Sequence, residues 1–314
     1  MEAFQTVART DLNIRTAQPA DRTALEAIAA QVWDGEDYLP RVLDDWFADP
    51  YDGFFVATLC GRVVGVIKLT RFAAGEWWLE GLRVDPEYRR QNISRILHHF
   101  AIRQVRERGS GQVRFSTASE NKAARTLARE SGFEHVASFH PVAAEPLAEP
   151  LVGLRQLGPG DASAVRAYLD RSLHYTQARG SLEWDWCFYF LTDERLAERL
   201  EDGLVYGWMP DDATLNGVVI TNAEGKSRWP DDPKLRVAYL DAPEAHLVHM
   251  ALDVRRLAAI NERARVVLKM LKRGTLLATM QEAGYEREWD GEVLLYERNV
   301  SLTEHADVRL ESEG

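Results

Sequence analysis

Apolar and polar residues alternate from Leu12 to Ala17, the two-residue period of a short strand. After Pro19-Ala20-Asp21 the period lengthens. Leu25, Ile28 and Ala29 fall on one helical face, and Asp21 stands where a residue caps a helix. Trp33 to Pro40 reads as a loop, and Val42, Leu43 and Trp46 mark a second helix. The stretches 54–60 and 62–72 read as strands split by Gly61, a hairpin signal. A further strand covers 77–84, with Leu79, Gly81 and Arg83 on one side and Leu82 and Val84 on the other. Asp85-Pro86 stops it, because proline lacks the ladder donor. A long helix over 93–108 is marked by Ile93, Ile96, Leu97 and Phe100. The strand 113–117, the helix 121–131 closed by Gly132, and the strand 133–140 complete the series. This order is α/β.

The proline-rich stretch 143–150 reads as a linker, and after it the pattern restarts. Arg15, Pro19 and Asp21 return as Arg155, Pro159 and Asp161, each 140 residues later. Gly65 within Val63-Val64-Gly65-Val66 returns as Gly217, and Gly132-Phe133-Glu134 as Gly284-Tyr285-Glu286, each 152 residues later. Echoes in the same order at nearly constant shift predict a tandem duplication. The expected division is a flexible terminus at 1–11, a first domain at 12–142, the linker at 143–150, a second domain at 151–300 and an acidic tail at 301–314. The stretch 225–233 is expected as an exposed loop. With 247–254 read as a strand, the following Arg255-Arg256-Leu257-Ala258-Ala259-Ile260-Asn261 opens no room for a phosphate, so the second copy is expected to be degenerate.

Length and composition agree with two soluble domains: 314 residues, 46% hydrophobic and 28% charged. Neither a membrane span nor an export signal is expected. Cys60 and Cys187 are the only cysteines, which gives no disulfide framework or metal-ligand set and makes a reducing cytoplasm the default. A net charge of −11 speaks against a nucleic-acid partner. His246 with His249 finds no third ligand, so no metal is expected.

The chemistry concentrates where the strand 77–84 runs through a polar turn into the helix from Ile93. Unpaired N–H groups and a positive dipole make such a helix start a seat for a pyrophosphate. Arg89-Arg90-Gln91-Asn92-Ile93-Ser94 resembles the acyl-CoA-binding signature of the GNAT superfamily of N-acetyltransferases. The family uses glycine or alanine where this chain has Asn92 and Ser94. Asparagine is the non-glycine residue best suited to positive φ there. Asn121, Ala124, Leu127, Gly132 and Phe133 match a second family motif. Ala128 replaces the tyrosine that in many relatives protonates the departing thiolate, so another group or water must do so.

The resemblance implies a tandem GNAT fold, a mixed and mostly antiparallel sheet flanked by helices. It implies acetyl-CoA as acyl donor, held by Arg89, Arg90, Gln91, Asn92, Ile93 and Ser94, by the backbone of Leu82, Arg83 and Val84, and beside Asn121. It implies transfer to a primary amine of a small molecule. Glu80 looks like the carboxylate that takes the amine's proton in diamine acetyltransferases. Trp33, Asp37, Tyr38 and Trp46 are the candidate acceptor pocket, an acid among aromatics that suits a cationic amine. Asp37-Tyr38-Leu39-Pro40, Trp46 and Glu80-Gly81-Leu82-Arg83-Val84 are also similar to the vertebrate histidine N-acetyltransferase group, which makes a free amino acid such as histidine a lead. Rival readings are acetylation of a protein N-terminus or lysine, and a non-catalytic acyl-CoA sensor. Monomer and homodimer both fit, since an internal pair of domains can replace a dimer.

Overall fold

The structure, a computed structural model, describes residues 12–32, 35–211, 214–223 and 233–302. The expected flexible terminus at 1–11, nearly all of the loop at 225–233 and most of the acidic tail lie outside those residues. The chain divides into two compact units, Met1–Arg114 with Glu297–Gly314, and Phe115–Tyr296. The divisions fall inside two strands, β5 (Gly111–Ala118) and β15 (Val293–Val300).

The first unit is built on β1 (Leu12–Thr16), β2 (Phe54–Leu59), β3 (Arg62–Ala73) and β4 (Glu76–Val84), paired antiparallel in that order. The parallel ladder of β4 with β5 covers Glu76–Trp78 against Gln112–Arg114. Cys60 and Gly61 make the β2–β3 turn with φ of 49° and 80°, the left-handed pair that a twisted two-residue hairpin needs. Helices α1 (Arg22–Ala29) and α2 (Leu39–Phe47) pack Leu25, Ile28, Leu43 and Trp46 against Phe54, Val56 and Val66. The long helix α3 (Ile93–Glu107) lies on the opposite face, since neighbouring strand residues point to opposite sides. At Gly65 an added Cβ would stand 3.0 Å from Leu97 and 3.1 Å from Ile93. The missing side chain lets α3 approach.

Asp21 is buried but does not cap α1 as expected. It reaches back to accept the Gln18 N–H at 2.8 Å and both Arg15 nitrogens at 2.7 Å. The 3-10 turn Pro19–Asp21 runs straight into α1, so Asp21 already has helical backbone and its side chain closes the start of that turn instead.

In the second unit the pattern starts again. A strand, β7 (Leu154–Gln156), leads through the turn Pro159–Asp161 into α5 (Ala162–Arg171). The Gly158 N–H donates to Asp161 at 2.9 Å, the same bond as at Gln18 and Asp21. β10 (Val205–Trp208), β11 (Val218–Thr221), β12 (Lys234–Asp241) and β13 (Arg265–Leu271) extend β7 as β2 to β5 extend β1, with the last pair again parallel. Val218 and Ile220 pack toward α5 and α7 (Asp193–Glu201), while Val219 packs toward α8 (Glu244–Ile260) and α9 (Leu276–Glu282). Gly132 and Gly284 follow α4 (Lys122–Glu130) and α9 at φ of 71° and 79°. The remaining elements are α6 (Leu173–Gln177), the hairpin β8 (Ser181–Trp184) and β9 (Cys187–Phe190), β6 (Glu134–Ala144) and β14 (Glu286–Arg287). β6 takes in Ala143 and Ala144, so the irregular connection starts two residues after the expected linker start.

The stretch 247–254 is helical, not a strand. Leu247, Met250, Ala251, Val254, Leu257 and Ala258 are buried at three- and four-residue spacing within α8. Arg255 to Ile260 therefore lie inside that helix. The true counterpart of the polar turn is Ala242-Pro243 between β12 and α8, too short to cradle a pyrophosphate.

Candidate active site

The site is organised by a break in β4. Val66 pairs with Arg83 and Lys68 with Glu80, so Gly81 and Leu82 together oppose Ile67. Two residues against one bow a strand and turn part of its main chain out of the ladder. Gly81 takes φ of 66°, and an added Cβ would stand 2.5 Å from Cη2 of Trp46. The simple alternation expected over 77–84 therefore ends at Glu80.

Over this bulge lie three of the four expected acceptor residues. Trp46 on α2 is buried and meets Tyr38 and Phe54 edge-on, with ring centroids at 6.2 and 5.2 Å. Asp37 forms a two-pronged pair with Arg83, Oδ2 to Nε at 2.7 Å and Oδ1 to Nη2 at 3.1 Å, and also accepts the Leu39 N–H at 3.0 Å. The Arg83 guanidinium lies 5.4 Å from the Tyr38 ring centre. Burial opposes the charge on Arg83, but Tyr38 and Asp37 outweigh it and raise its pKa. The acid picked out for a cationic acceptor is thus already matched by a cation of the chain. Trp33 lies outside the described residues.

Glu80 is half-buried and accepts a hydrogen bond from the Thr70 hydroxyl at 2.8 Å. Directly across the ladder is Lys68, 2% exposed and paired with Asp49. Burial pushes the Asp49 pKa up, but the bond and charge of Lys68 together with the N–H groups of Tyr51 and Gly53 outweigh it, so the net shift is down. Thr70, Lys68 and Asp49 were not singled out from sequence. The available signal was an ionisable Lys68 inside the otherwise apolar run 63–69.

Beyond β4, Asp85 is buried and accepts the Glu87 N–H at 3.0 Å, which fixes the turn Pro86–Tyr88. Arg90 and Asn92 follow at φ of 63° and 62°. Asn92 begins α3 in the left-handed conformation for which the family uses a small residue. Among the described residues, the N–H groups of Arg90, Gln91, Asn92, Ile93 and Ser94 have no hydrogen-bond acceptor. Arg89 and Arg90 are exposed beside them. Unpaired donors at a helix start with two guanidiniums alongside fit a pyrophosphate.

Residues 21–133 match the Acetyltransferase (GNAT) family. They are a GNAT domain. A histidine N-acetyltransferase of Oreochromis niloticus is 27% identical over 105 residues, which covers 33% of this chain and 31% of that protein. The chain thus spans less than a third of that relative's length. A GCN5-related N-acetyltransferase from Sphaerobacter thermophilus superposes with a TM-score of 0.63 at 15% identity, covering 92% of this chain and 96% of the other. A tandem GNAT protein from the clavulanic acid biosynthesis pathway superposes with a TM-score of 0.53 at 15% identity, covering 92% and 99%. The fold is therefore a tandem GNAT fold, and the GNAT domain contains every described residue of the site above. Asn121, the remaining expected cofactor residue, belongs to the second unit and caps α4 by accepting the Ala124 N–H at 3.0 Å. Ala128, in the place of the usual tyrosine, is fully buried. No helix among the described residues is long and apolar enough to cross a membrane.

Proposed function

We propose that the GNAT domain transfers the acetyl group of acetyl-CoA to the primary amine of a small molecule, with histidine or another free amino acid as the first candidate. The observation that carries this reading is the half-buried Glu80 carboxylate, held by Thr70 immediately before the bulge at Gly81. In this reading Glu80 takes the proton that makes the amine nucleophilic. The amine nitrogen attacks the thioester carbonyl carbon, the backbone N–H groups of Leu82, Arg83 and Val84 polarise its oxygen, and the C–S bond breaks. The second amine proton then reaches the thiolate through water, since Ala128 has none to give. Arg89 to Ser94 hold the pyrophosphate, and Asn121 lies beside the cofactor. Tyr38 and Trp46, with Trp33, shape the acceptor pocket. Asp37 acts there by fixing Arg83. The protein acts as a monomer or homodimer in the cytoplasm, with catalysis in a domain at 12–142 and a second domain at 151–300.

Release of CoA thiol measured with a panel of amines, peptides and free amino acids tests this. Free histidine or another small amine should give release, and Glu80→Gln should lower kcat/KM at least about tenfold at neutral pH. An unchanged pH–rate profile in that variant would exclude Glu80 as base. Tight binding of acetyl-CoA with no release for any amine would identify a sensor instead.

A further inference from the structure

Lys68 is a buried cation for which the proposed reaction has no use. It stands directly opposite Glu80 in the β3–β4 ladder, so both side chains leave the sheet on the same side. Its stem lies beside Trp46. A Cβ added to Gly81 would be 2.5 Å from the Trp46 ring and 3.7 Å from the Lys68 Cβ. Opposite charges at facing ladder positions attract each other. The Lys68 ammonium pairs with Asp49 instead, and donates to the Leu69 carbonyl at 3.2 Å.

The chain is built to deliver Asp49 to that place. Asp49 lies in the connection from α2 to β2 and accepts the Tyr51 N–H at 3.0 Å. Gly53 lets the connection lie against β3. The Leu69 N–H donates to the Gly53 carbonyl at 2.7 Å, and a Cβ on Gly53 would stand 1.9 Å from the Leu69 carbonyl oxygen. Glu80 meanwhile receives a neutral donor, the Thr70 hydroxyl at 2.8 Å. Past the bulge, Arg83 is held by Asp37 from the α1–α2 connection, with Tyr38 against its face. Trp46, from α2, adds no charge. Both cations flanking Glu80 in this strand pair are thus matched by other acids.

We propose that Asp49 and Thr70 are positioning residues for Glu80. Asp49 draws the Lys68 ammonium away from the carboxylate, and Thr70 holds the carboxylate in place with a neutral hydrogen bond. The inference rests on the reading of Glu80 as base. An ammonium close to a carboxylate favours its ionised form and makes it reluctant to take a proton. A hydroxyl donates to the carboxylate and to the protonated acid alike. It therefore keeps the group oriented through the proton transfer at little cost to its basicity.

The acid limb of the kcat/KM profile of the full chain tests this, with acetyl-CoA and the amine that gives most thiol release. In Asp49→Asn the ammonium loses its acid and turns to Glu80. The limb should move down by at least about one pH unit, and kcat at neutral pH should fall at least about threefold. Adding Lys68→Met should return the limb to its parent position. Thr70→Val should move the limb up by about half a pH unit and lower kcat at least about threefold, with KM for acetyl-CoA unchanged. Thr70→Ser should restore both. A merely structural role would lower activity without moving the limb in opposite directions. If Asp49→Asn does not fold, the two Thr70 variants decide alone. The proposal is overturned if Glu80→Gln abolishes the limb, as the base reading requires, while a folded Asp49→Asn or Thr70→Val keeps the parent limb. It is also overturned if Lys68→Met does not reverse the shift. A limb that survives in Glu80→Gln would instead overturn the base reading, and this inference with it.

Discussion

Gly81 carries the geometry of β4, and its requirement is specific to that position. Its φ of 66° and the 2.5 Å that would separate an added Cβ from the Trp46 ring both exclude a side chain. Gly81→Ala should cost about 2–4 kcal/mol, from backbone strain and displacement of the Trp46 ring. Gly61 has a similar φ of 80° but nothing within 4 Å, so Gly61→Asn should cost less than about 1 kcal/mol. Urea unfolding of both variants checks the contrast, and equal costs would mean that Trp46 does not matter. Combining Gly81→Ala with Trp46→Leu should cost clearly less than the sum of the single changes. Asp37→Asn should be worse than either glycine change, about 3–5 kcal/mol, because it leaves the Arg83 guanidinium, 11% exposed, beside a neutral partner. Some of this was legible in sequence. Asn92 was expected at positive φ because asparagine tolerates it. Arg90 was not, because arginine has no such preference and only the closed path of the turn imposes it. The Arg83–Asp37 pair was invisible because its partners are 46 residues apart and no periodicity joins them.

At the scale of elements, the strands and helices of the first copy were readable, including β2, which is buried at every position, but the long helix of the second copy was not. β1 to β6 and α1 to α4 follow from their alternation or helical spacing. α8 was misread because Val248 and Leu252 add apolar positions beside the face of Leu247, Met250, Ala251 and Val254 and blur the helical period. Helix α3 adds a titratable group to its buried face. His98 is 4% exposed, and burial, with His99 and Arg298 adding to it, lowers its pKa to about 3. An unfolded histidine titrates near 6.5, so between those values the unfolded chain binds more protons and stability falls as pH falls. The slope from this group is about 1.4 kcal/mol per pH unit at its steepest. His98→Leu should therefore lose roughly 1 kcal/mol less than the parent between pH 6 and pH 5. Urea unfolding at the two values measures this, and parallel losses would show that His98 is not held neutral.

At the scale of the whole chain, the two sequence copies are not the two compact units. β6 ends the first copy in sequence, yet it pairs with β13 of the second, from Phe139 opposite Leu271 to Ala144 opposite Val266. The first unit in turn takes the end of β15, where Glu297 pairs with Arg114 at 3.2 Å. These side chains are 7% and 2% exposed. The echoes at 140 and 152 residues revealed the duplication but not this pairing, because hydrogen bonds between strands leave no mark on spacing. A fragment spanning 12–142 therefore keeps the complete family match and still lacks two things the fold uses. It leaves Arg114 buried without Glu297, a cost of about 3–5 kcal/mol, which is a large share of a domain's stability. It also exposes the β6 edge that β13 covers, an invitation to aggregate. The fragment should sediment as aggregate and show no cooperative melting transition, whereas Glu297→Gln in the full chain should stay monodisperse with a lowered Tm. A monomeric fragment that melts cooperatively within a few degrees of the full chain would show that the first copy carries its own stability and that β13 and Glu297 are dispensable to it.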